Sequence, residues 1–400
     1  MDTLGTPAMP SHFAAVPRPV IHDLAGSLIR DVANAGMGRS DIVPFWFGES
    51  DQPTPAFIRE AAIRSLEAGE TFYSQNLGRP YLREAIASYL TDLHGVAIAP
   101  ERIAAVGSGV SGLMLTMQTV LSPGDRVVAV TPIWPNIVEI PKILGAQVTR
   151  VPLRVAGGQW SLDVDQLLAA LTPETRLCII NSPNNPTVWT IAPDAVAIIL
   201  AHCRKHGIWL LSDDVYERLV HDPAVRSAPS FLAQAMPDDR VLSVNSFSKA
   251  WSMTGWRVGW IVAPETVVTD LTKVVEYNTS CILEPVQRAA TVAITQGEAE
   301  VARLRAHLRH TRQVLVEGLR ALPDTEVPDA GGAMYVFFRL AGQGDSIALA
   351  KRLVAEAGLG LAPGAAFGPE GEGWLRWCHA VTAARLHDGL ARLAGFLGRS

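Results

Sequence analysis

Lys249 sits in the stretch Ser246-Phe247-Ser248-Lys249-Ala250-Trp251-Ser252-Met253-Thr254-Gly255-Trp256, crowded by aromatic and apolar side chains. Most lysines stay in water; one held partly out of it has a lowered pKa and can attack a carbonyl as an amine. A second candidate is Asp213 in Ser212-Asp213-Asp214-Val215-Tyr216, a carboxylate that closes an apolar run, with Tyr216 three residues on. A helix N-cap would explain that carboxylate equally well. The third is Gly107-Ser108-Gly109-Val110-Ser111-Gly112, which reads G-x-G-x-x-G between a strand pattern and a helix pattern, the form of a dinucleotide-binding turn. Such a site also needs an acidic residue about 20 residues on, at the end of the next strand. Asp125 stands before that strand instead, and the strand runs into Thr131-Pro132. What remains is a glycine-rich turn opening a helix, whose free N–H groups favour an anion such as a phosphate, although structural need alone would also place glycines there. Amine, carboxylate and phosphate cradle together form the set that a phosphorylated aldehyde cofactor, bound as a Schiff base, requires.

These groups follow short apolar runs. Between residues 101 and 263, strands expected at 102–106, 126–130, 177–180, 208–212, 241–245 and 258–262 alternate with helical patterns, which implies a mostly parallel sheet wrapped by helices. In such sheets ligands sit beyond the carboxyl ends of the strands, where the three candidates fall. The turn Asn181-Ser182-Pro183-Asn184-Asn185-Pro186-Thr187 also follows a strand, and turn chemistry alone accounts for its composition. Residues 284–322 read as one continuous helix, leading to strands at 335–340 and 375–379 and amphipathic helices at 346–357 and 382–397, a smaller α+β unit.

The 400 residues suffice for two or three domains. Charged residues make up 18%, below the roughly 25% of average soluble chains, which points to a large core or a buried oligomer interface. A formal charge of −5 without a basic block argues against nucleic acid. Cys178, Cys203, Cys281 and Cys378 are far apart and form no C-x-x-C pair, as expected for free thiols in a reducing compartment and not for a metal site. No apolar run approaches membrane-spanning length and no secretory pattern opens the chain, so a soluble cytoplasmic protein is expected. The first twenty residues, rich in proline and small side chains, read as an arm or a tail.

From Phe47-Gly48-Glu49 to Arg376 the chain resembles the fold-type I, class I/II pyridoxal-phosphate aminotransferases of the aspartate aminotransferase-like superfamily. The resemblance implies an α/β fold: a large domain with a mostly parallel seven-stranded sheet flanked by helices, and a smaller α+β domain built from N- and C-terminal segments. The corresponding boundaries are 1–48 for the arm and part of the small domain, 49–290 for the large domain and 291–400 for the connecting helix and small domain. It makes Lys249, in Ser246-Phe247-Ser248-Lys249, the cofactor lysine, Arg257 and Ser246 phosphate ligands, Asp213 the ring-nitrogen partner and Tyr216 the partner of the ring oxygen. It gives Gly109, Val110 and Ser111 the phosphate loop and Trp134 the face of the ring. Asn185 and Arg376, with Phe47 and Gly48, contact the substrate, Arg376 taking its α-carboxylate. The implied activity is amino transfer between an L-amino acid and a 2-oxo acid in a ping-pong cycle; a β-lyase, decarboxylase or cyclase reaction on the same scaffold stays open. A regulatory protein with an aminotransferase-like sensor domain would need a basic DNA-binding module, for which the N-terminus leaves no room.

Val188 stands where the family has glycine after N-P-T, an expected change of turn geometry, and Val110 adds bulk to the phosphate loop. Dicarboxylate-specific relatives commonly carry a second arginine that residues 276–280 lack, so neutral, aromatic or large aliphatic substrates are expected over Phe47, Ile133 and Trp134. Glu284 is left without a role unless it favours a cationic group. Finally, Tyr73-Ser74-Gln75-Asn76-Leu77-Gly78 has the family's Y-x-x-x-x-G form, whose tyrosine reaches the phosphate of the other subunit, which implies a homodimer with shared sites.

Overall fold

The computed structural model describes residues 16–398. The expectation of an arm or tail at the N-terminus falls largely on residues outside that range.

Seven strands build the main sheet: β1 (Ile103–Val106), β2 (Arg126–Thr131), β3 (Gln147–Pro152), β4 (Thr175–Asn181), β5 (Trp209–Asp213), β6 (Val241–Ser246) and β7 (Gly259–Val262). Their order is β1-β7-β6-β5-β4-β2-β3, and every pairing is parallel except the two made by β7. Helices cover both faces, so the strands read as near-continuous apolar runs. The exception is β3, an edge strand with two of its six residues exposed and one buried, and its weak pattern hid it from the sequence reading.

Because β7 runs against its neighbours, its leading end lies beside the trailing ends of β1 and β6. One edge of the sheet therefore gathers the segments after β1, β2, β4, β5 and β6 together with the segment before β7. The candidate residues belong to those segments.

A second sheet of four short antiparallel strands has the order β8-β9-β11-β10: β8 (Thr325–Glu326), β9 (Tyr335–Leu340), β10 (Ala362–Pro363) and β11 (Trp374–Cys378). Val43–Pro44 pairs in parallel with Leu359–Gly360, which ties the N-terminal segment to the C-terminal one. The expected single helix over 284–322 is two helices, Glu284–Gln296 and Glu298–Arg320, interrupted at Gly297. Between the two sheets a cluster of Tyr216, Leu219, Leu304, Leu308, Met334 and Tyr335 closes the core. Among the described residues no helix is long and apolar enough to cross a membrane.

Candidate active site

The gathered strand ends enclose a cavity of about 380 Å³. Lys249, in the turn after β6, donates from Nζ to the Gly48 carbonyl at 2.6 Å and lies 5.7 Å from the centre of the Tyr216 ring. Burial draws its pKa down to about 8; the Cys378 and Glu49 charges oppose that fall while Arg376 and Arg257 add to it. Gly48 must be glycine, because a Cβ there would stand 1.9 Å from Tyr335 Oη. That hydroxyl in turn shares a hydrogen bond of 2.6 Å with Tyr216 Oη.

Two aspartates are adjacent in the sequence, and β5 turns them to different partners. Asp214 accepts from Ser212 Oγ at 2.5 Å and Ser243 Oγ at 2.6 Å, so its needs are met inside the sheet. Asp213 faces the cavity, and among the described residues its carboxylate accepts only from the Val215 N–H, at 3.4 Å. Burial first, and the Asp214 charge second, push its pKa up to about 7. A buried carboxylate so short of donors is costly to ionise until a cationic donor arrives.

Gly109 and Val110 open the helix Gly109–Val120 in the wall of the cavity. Their N–H groups have no intrahelical acceptor at that position. A Cβ on Gly109 would meet Ser246 Cβ at 3.3 Å and Val215 Cγ1 at 3.4 Å, closing the cradle between the helix start and β6. Ser246 Oγ is 2.8 Å from Ser248 Oγ and 3.2 Å from the Val258 carbonyl. Arg257 lines the same region, donates to the Thr254 carbonyl at 2.7 Å and, among the described residues, meets no carboxylate. Ser111 does not belong to the cavity wall: its N–H is taken by the Ser108 cap at 3.0 Å and its hydroxyl lies 3.0 Å from Ser108 Oγ.

Arg376 rises from the middle of β11 and is 3% exposed. Its Nη1 donates to Asn185 Oδ1 at 2.8 Å and its Nη2 to the Trp46 carbonyl at 2.5 Å, while Nε is buried without a partner. Tyr335 and Phe367 lie 4.4 and 4.9 Å from its carbon centre, so the plane is held by rings as well as hydrogen bonds. Trp134 and Phe47 complete the apolar wall.

The family model of aminotransferase class I and II matches residues 40–393. The chain belongs to this family. An aspartate aminotransferase of Pyrococcus horikoshii is 32% identical over 370 residues, 92% of this chain and 93% of that relative. An arginine–pyruvate transaminase of Pseudomonas aeruginosa is 32% identical over 352 residues, 87% of this chain and 88% of the relative. The solved structure of a Thermus thermophilus aspartate aminotransferase with maleate matches with a TM-score of 0.88 at 31% identity, covering 96% of this chain and 100% of that one.

In this aminotransferase several residues sit otherwise than the sequence suggested. Ile133 is fully buried in the core and is not part of the cavity wall. Val188 retains the left-handed backbone of a glycine, φ 65°, and its side chain is buried beside Tyr216 and Leu219. A valine in that conformation carries a strain of about 1–3 kcal/mol, which its burial offsets. Glu284 lies outside the cavity, bonded to Arg79 and Tyr81, so it offers nothing to a cationic substrate there. Tyr73 is 89% exposed and lines no part of its own chain's cavity. Nine lining residues were not singled out from the sequence; six of them, Leu113, Asn136, Asn181, Val215, Ser248 and Thr254, neighbour the expected ones, while Tyr335, and Ile29 and Arg30 from the helix Leu28–Gly36, come from segments given no role. Local signals for that helix are present: the cap, Ser27 Oγ accepting from the Arg30 N–H at 3.4 Å, Asp31 in the first turn, and a buried face at Ile29, Val32, Ala33 and Gly36.

Proposed function

We propose that this aminotransferase binds pyridoxal 5'-phosphate at Lys249 and transfers an amino group between an L-amino acid with a large uncharged side chain and a 2-oxo acid, in two half-reactions of ping-pong order. The observation that carries the reading is that Lys249, Asp213 and Arg376 line one cavity beside the start of a helix. The residues fit the group: a cradle that a Cβ on Gly109 would fill and an Asp213 carboxylate short of donors.

The cofactor, when bound, supplies an aldehyde that joins to amines and a ring that takes up negative charge developing at the substrate Cα. Gly109, Val110, Ser246 and Arg257 hold its phosphate, with Ser111 steadying the helix start through Ser108. Asp213 would keep the proton on the ring nitrogen, Tyr216 would offer its hydroxyl to the ring oxygen, and Trp134 would lie against the ring. Lys249 moves the proton at Cα. Burial, which lowers its pKa to about 8 in the cofactor-free protein, favours the neutral amine that can accept that proton, and such transfer contributes about 10²- to 10⁴-fold. Arg376, oriented by Asn185, binds the α-carboxylate, and Phe47, Gly48 and Trp134 bound the side chain.

Assembly belongs to the same reading. Tyr73 reaches the phosphate of a second copy, so the enzyme is a homodimer with two shared sites; Phe72 and Tyr73, 84% and 89% exposed, are the apolar surface such a contact would cover. The four free cysteines fit a reducing compartment, and we assign the enzyme to the cytoplasm.

A screen of amino donors tests the function. A true donor should bleach the visible band of the cofactor-loaded enzyme, and a 2-oxo acid should restore it; release of ammonia or carbon dioxide instead would favour a lyase or decarboxylase. One observation supports a second, dicarboxylic partner such as glutamate. Arg30 lines the cavity, stacks 5.7 Å over Phe47 and, among the described residues, meets no carboxylate.

A further inference from the structure

The segment 71–79, between the helices Ala56–Glu67 and Pro80–His94, carries two large side chains into water and is nevertheless tied down along its length. Ser74 gives its N–H to Cys281 Sγ at 3.4 Å and its hydroxyl to Glu284 Oε2 at 3.2 Å. Asn76 Nδ2 donates to Glu276 Oε2 at 2.7 Å. Arg79 gives Nε to Glu284 Oε2 at 2.7 Å and its backbone N–H to Gln287 Oε1 at 2.7 Å. Tyr81 Oη donates to Glu284 Oε1 at 2.8 Å, and Gln287 Nε2 returns to Ser74 Oγ at 2.9 Å.

Glu284 is 5% exposed and Gln287 fully buried, both on the first turns of the helix Glu284–Gln296. Burying a carboxylate is unfavourable unless several donors meet it; here the hydrogen bonds come from Ser74, Arg79 and Tyr81, in one loop and its edge, and Arg288 of the same helix adds a cation at 3.5 Å. The arrangement spends its polar contacts on a loop whose own aromatic side chains touch little of their chain. Immobilising such a loop in advance removes the ordering cost from a later docking step.

We infer that Glu284, with Gln287, is a positioning residue for the neighbouring subunit's site: it presets the Phe72-Tyr73 loop for a second copy of this chain. This rests on the reading that Tyr73 acts across a shared interface. Its consequence is an asymmetry, since a defect at Glu284 must appear at the partner's cavity and not at its own.

Differently tagged hybrid dimers separate the two. In the first hybrid, one chain carries Lys249→Ala with Glu284→Gln and the other is wild type; the single Lys249 site then borrows its loop from the defective chain. In the second, Lys249→Ala is on one chain and Glu284→Gln on the other, so the single Lys249 site borrows an intact loop. The expected result is a pyridoxal-phosphate dissociation constant about ten-fold weaker, with kcat/KM per Lys249 lowered, in the first hybrid alone. Gln287→Met, of similar volume, repeats the comparison if Glu284→Gln does not assemble. Equal values in the two hybrids, or loss in the second, overturn the inference. Tyr73→Ala in the same two arrangements is the reference: if its defect follows its own chain, the shared-site reading itself fails; if Tyr73 acts across subunits and Glu284 does not, only the inference falls.

Discussion

Asn185 Oδ1 accepts from Arg376 Nη1 at 2.8 Å, which joins the turn after β4 to the middle of β11 across 191 positions of chain. Asn185 is itself fixed, its N–H held by Asn181 Oδ1 at 2.7 Å, and the Trp46 carbonyl takes the other terminal nitrogen. Held at both terminal nitrogens and between two rings, the guanidinium keeps its charge at a fixed place in the cavity wall.

Replacing the fork with a point charge tests this. Arg376→Lys should lower kcat/KM for amino acids by about 10- to 150-fold, the equivalent of losing a charge-assisted hydrogen bond of roughly 1.5–3 kcal/mol. Cofactor affinity, titrated by absorbance, should stay within about two-fold. Steady-state kinetics showing an unchanged kcat/KM would remove Arg376 from substrate binding.

Lys249→Ala should abolish the visible cofactor band and turnover and leave the fold intact. The variant loses the bond to Gly48 but also the desolvation of an amine whose pKa is depressed to about 8. These terms oppose each other, and the thermal midpoint of the cofactor-free protein should move by only about 2–4 °C. A retained visible band would mean that another group holds the cofactor.

Asp213 makes a pH prediction with a definite sign. Its pKa in the folded, cofactor-free protein is about 7 against 3.8 for an unperturbed group. Between those values the folded state holds a proton that the unfolded state has released, so this contribution to stability is present at pH 4 and is lost as pH rises to 7. Denaturant titrations of wild type and Asp213→Asn should diverge over that window, wild type falling more steeply by up to about 1.4 kcal/mol per pH unit. Loading with pyridoxal phosphate should flatten the wild-type curve, because a protonated ring nitrogen supplies the missing donor. Parallel curves for the two cofactor-free proteins would contradict the burial of an under-bonded carboxylate.

What could be read from the sequence and what could not divide along the sheet edge. Asp213 ends a strand and Lys249, Asn185, Trp134 and Gly109 each follow one, and alternation of strand and helix is enough to put strand ends on one edge. Arg30 and Tyr335 have no such marker. One comes from the short helix Leu28–Gly36 and the other from β9, and both reach the cavity by packing between distant segments. Gly48 shows the same limit in reverse, since nothing local says that a tyrosine hydroxyl 287 positions later would forbid a Cβ. Of the two neighbouring aspartates, the resemblance selected Asp213, and the physical reason, Ser212 and Ser243 satisfying Asp214, needed the register of β5 and β6.

Arg30 decides how one pocket would serve two kinds of side chain. Phe47, Ile29 and Trp134 offer apolar surface to an aromatic or aliphatic substrate, and the guanidinium lies over the Phe47 ring with its N–H groups uncommitted to any carboxylate among the described residues. A distal carboxylate entering the cavity would meet that charge, whereas an uncharged side chain would use the rings and leave it in solvent. Arg30 is exposed, so solvent weakens the attraction and the pair is worth about 0.2–1 kcal/mol, the range of exposed ion pairs. Arg30→Gln should therefore lower kcat/KM for glutamate or 2-oxoglutarate by only about 1.5- to 5-fold, and leave large uncharged amino acids unaffected. The difference should shrink as salt rises from about 0.01 M to 1 M, as the screening length falls from about 30 Å to 3 Å. Equal losses for charged and uncharged substrates, or a dicarboxylate preference that survives the substitution at low salt, would show that Arg30 does not read the side chain.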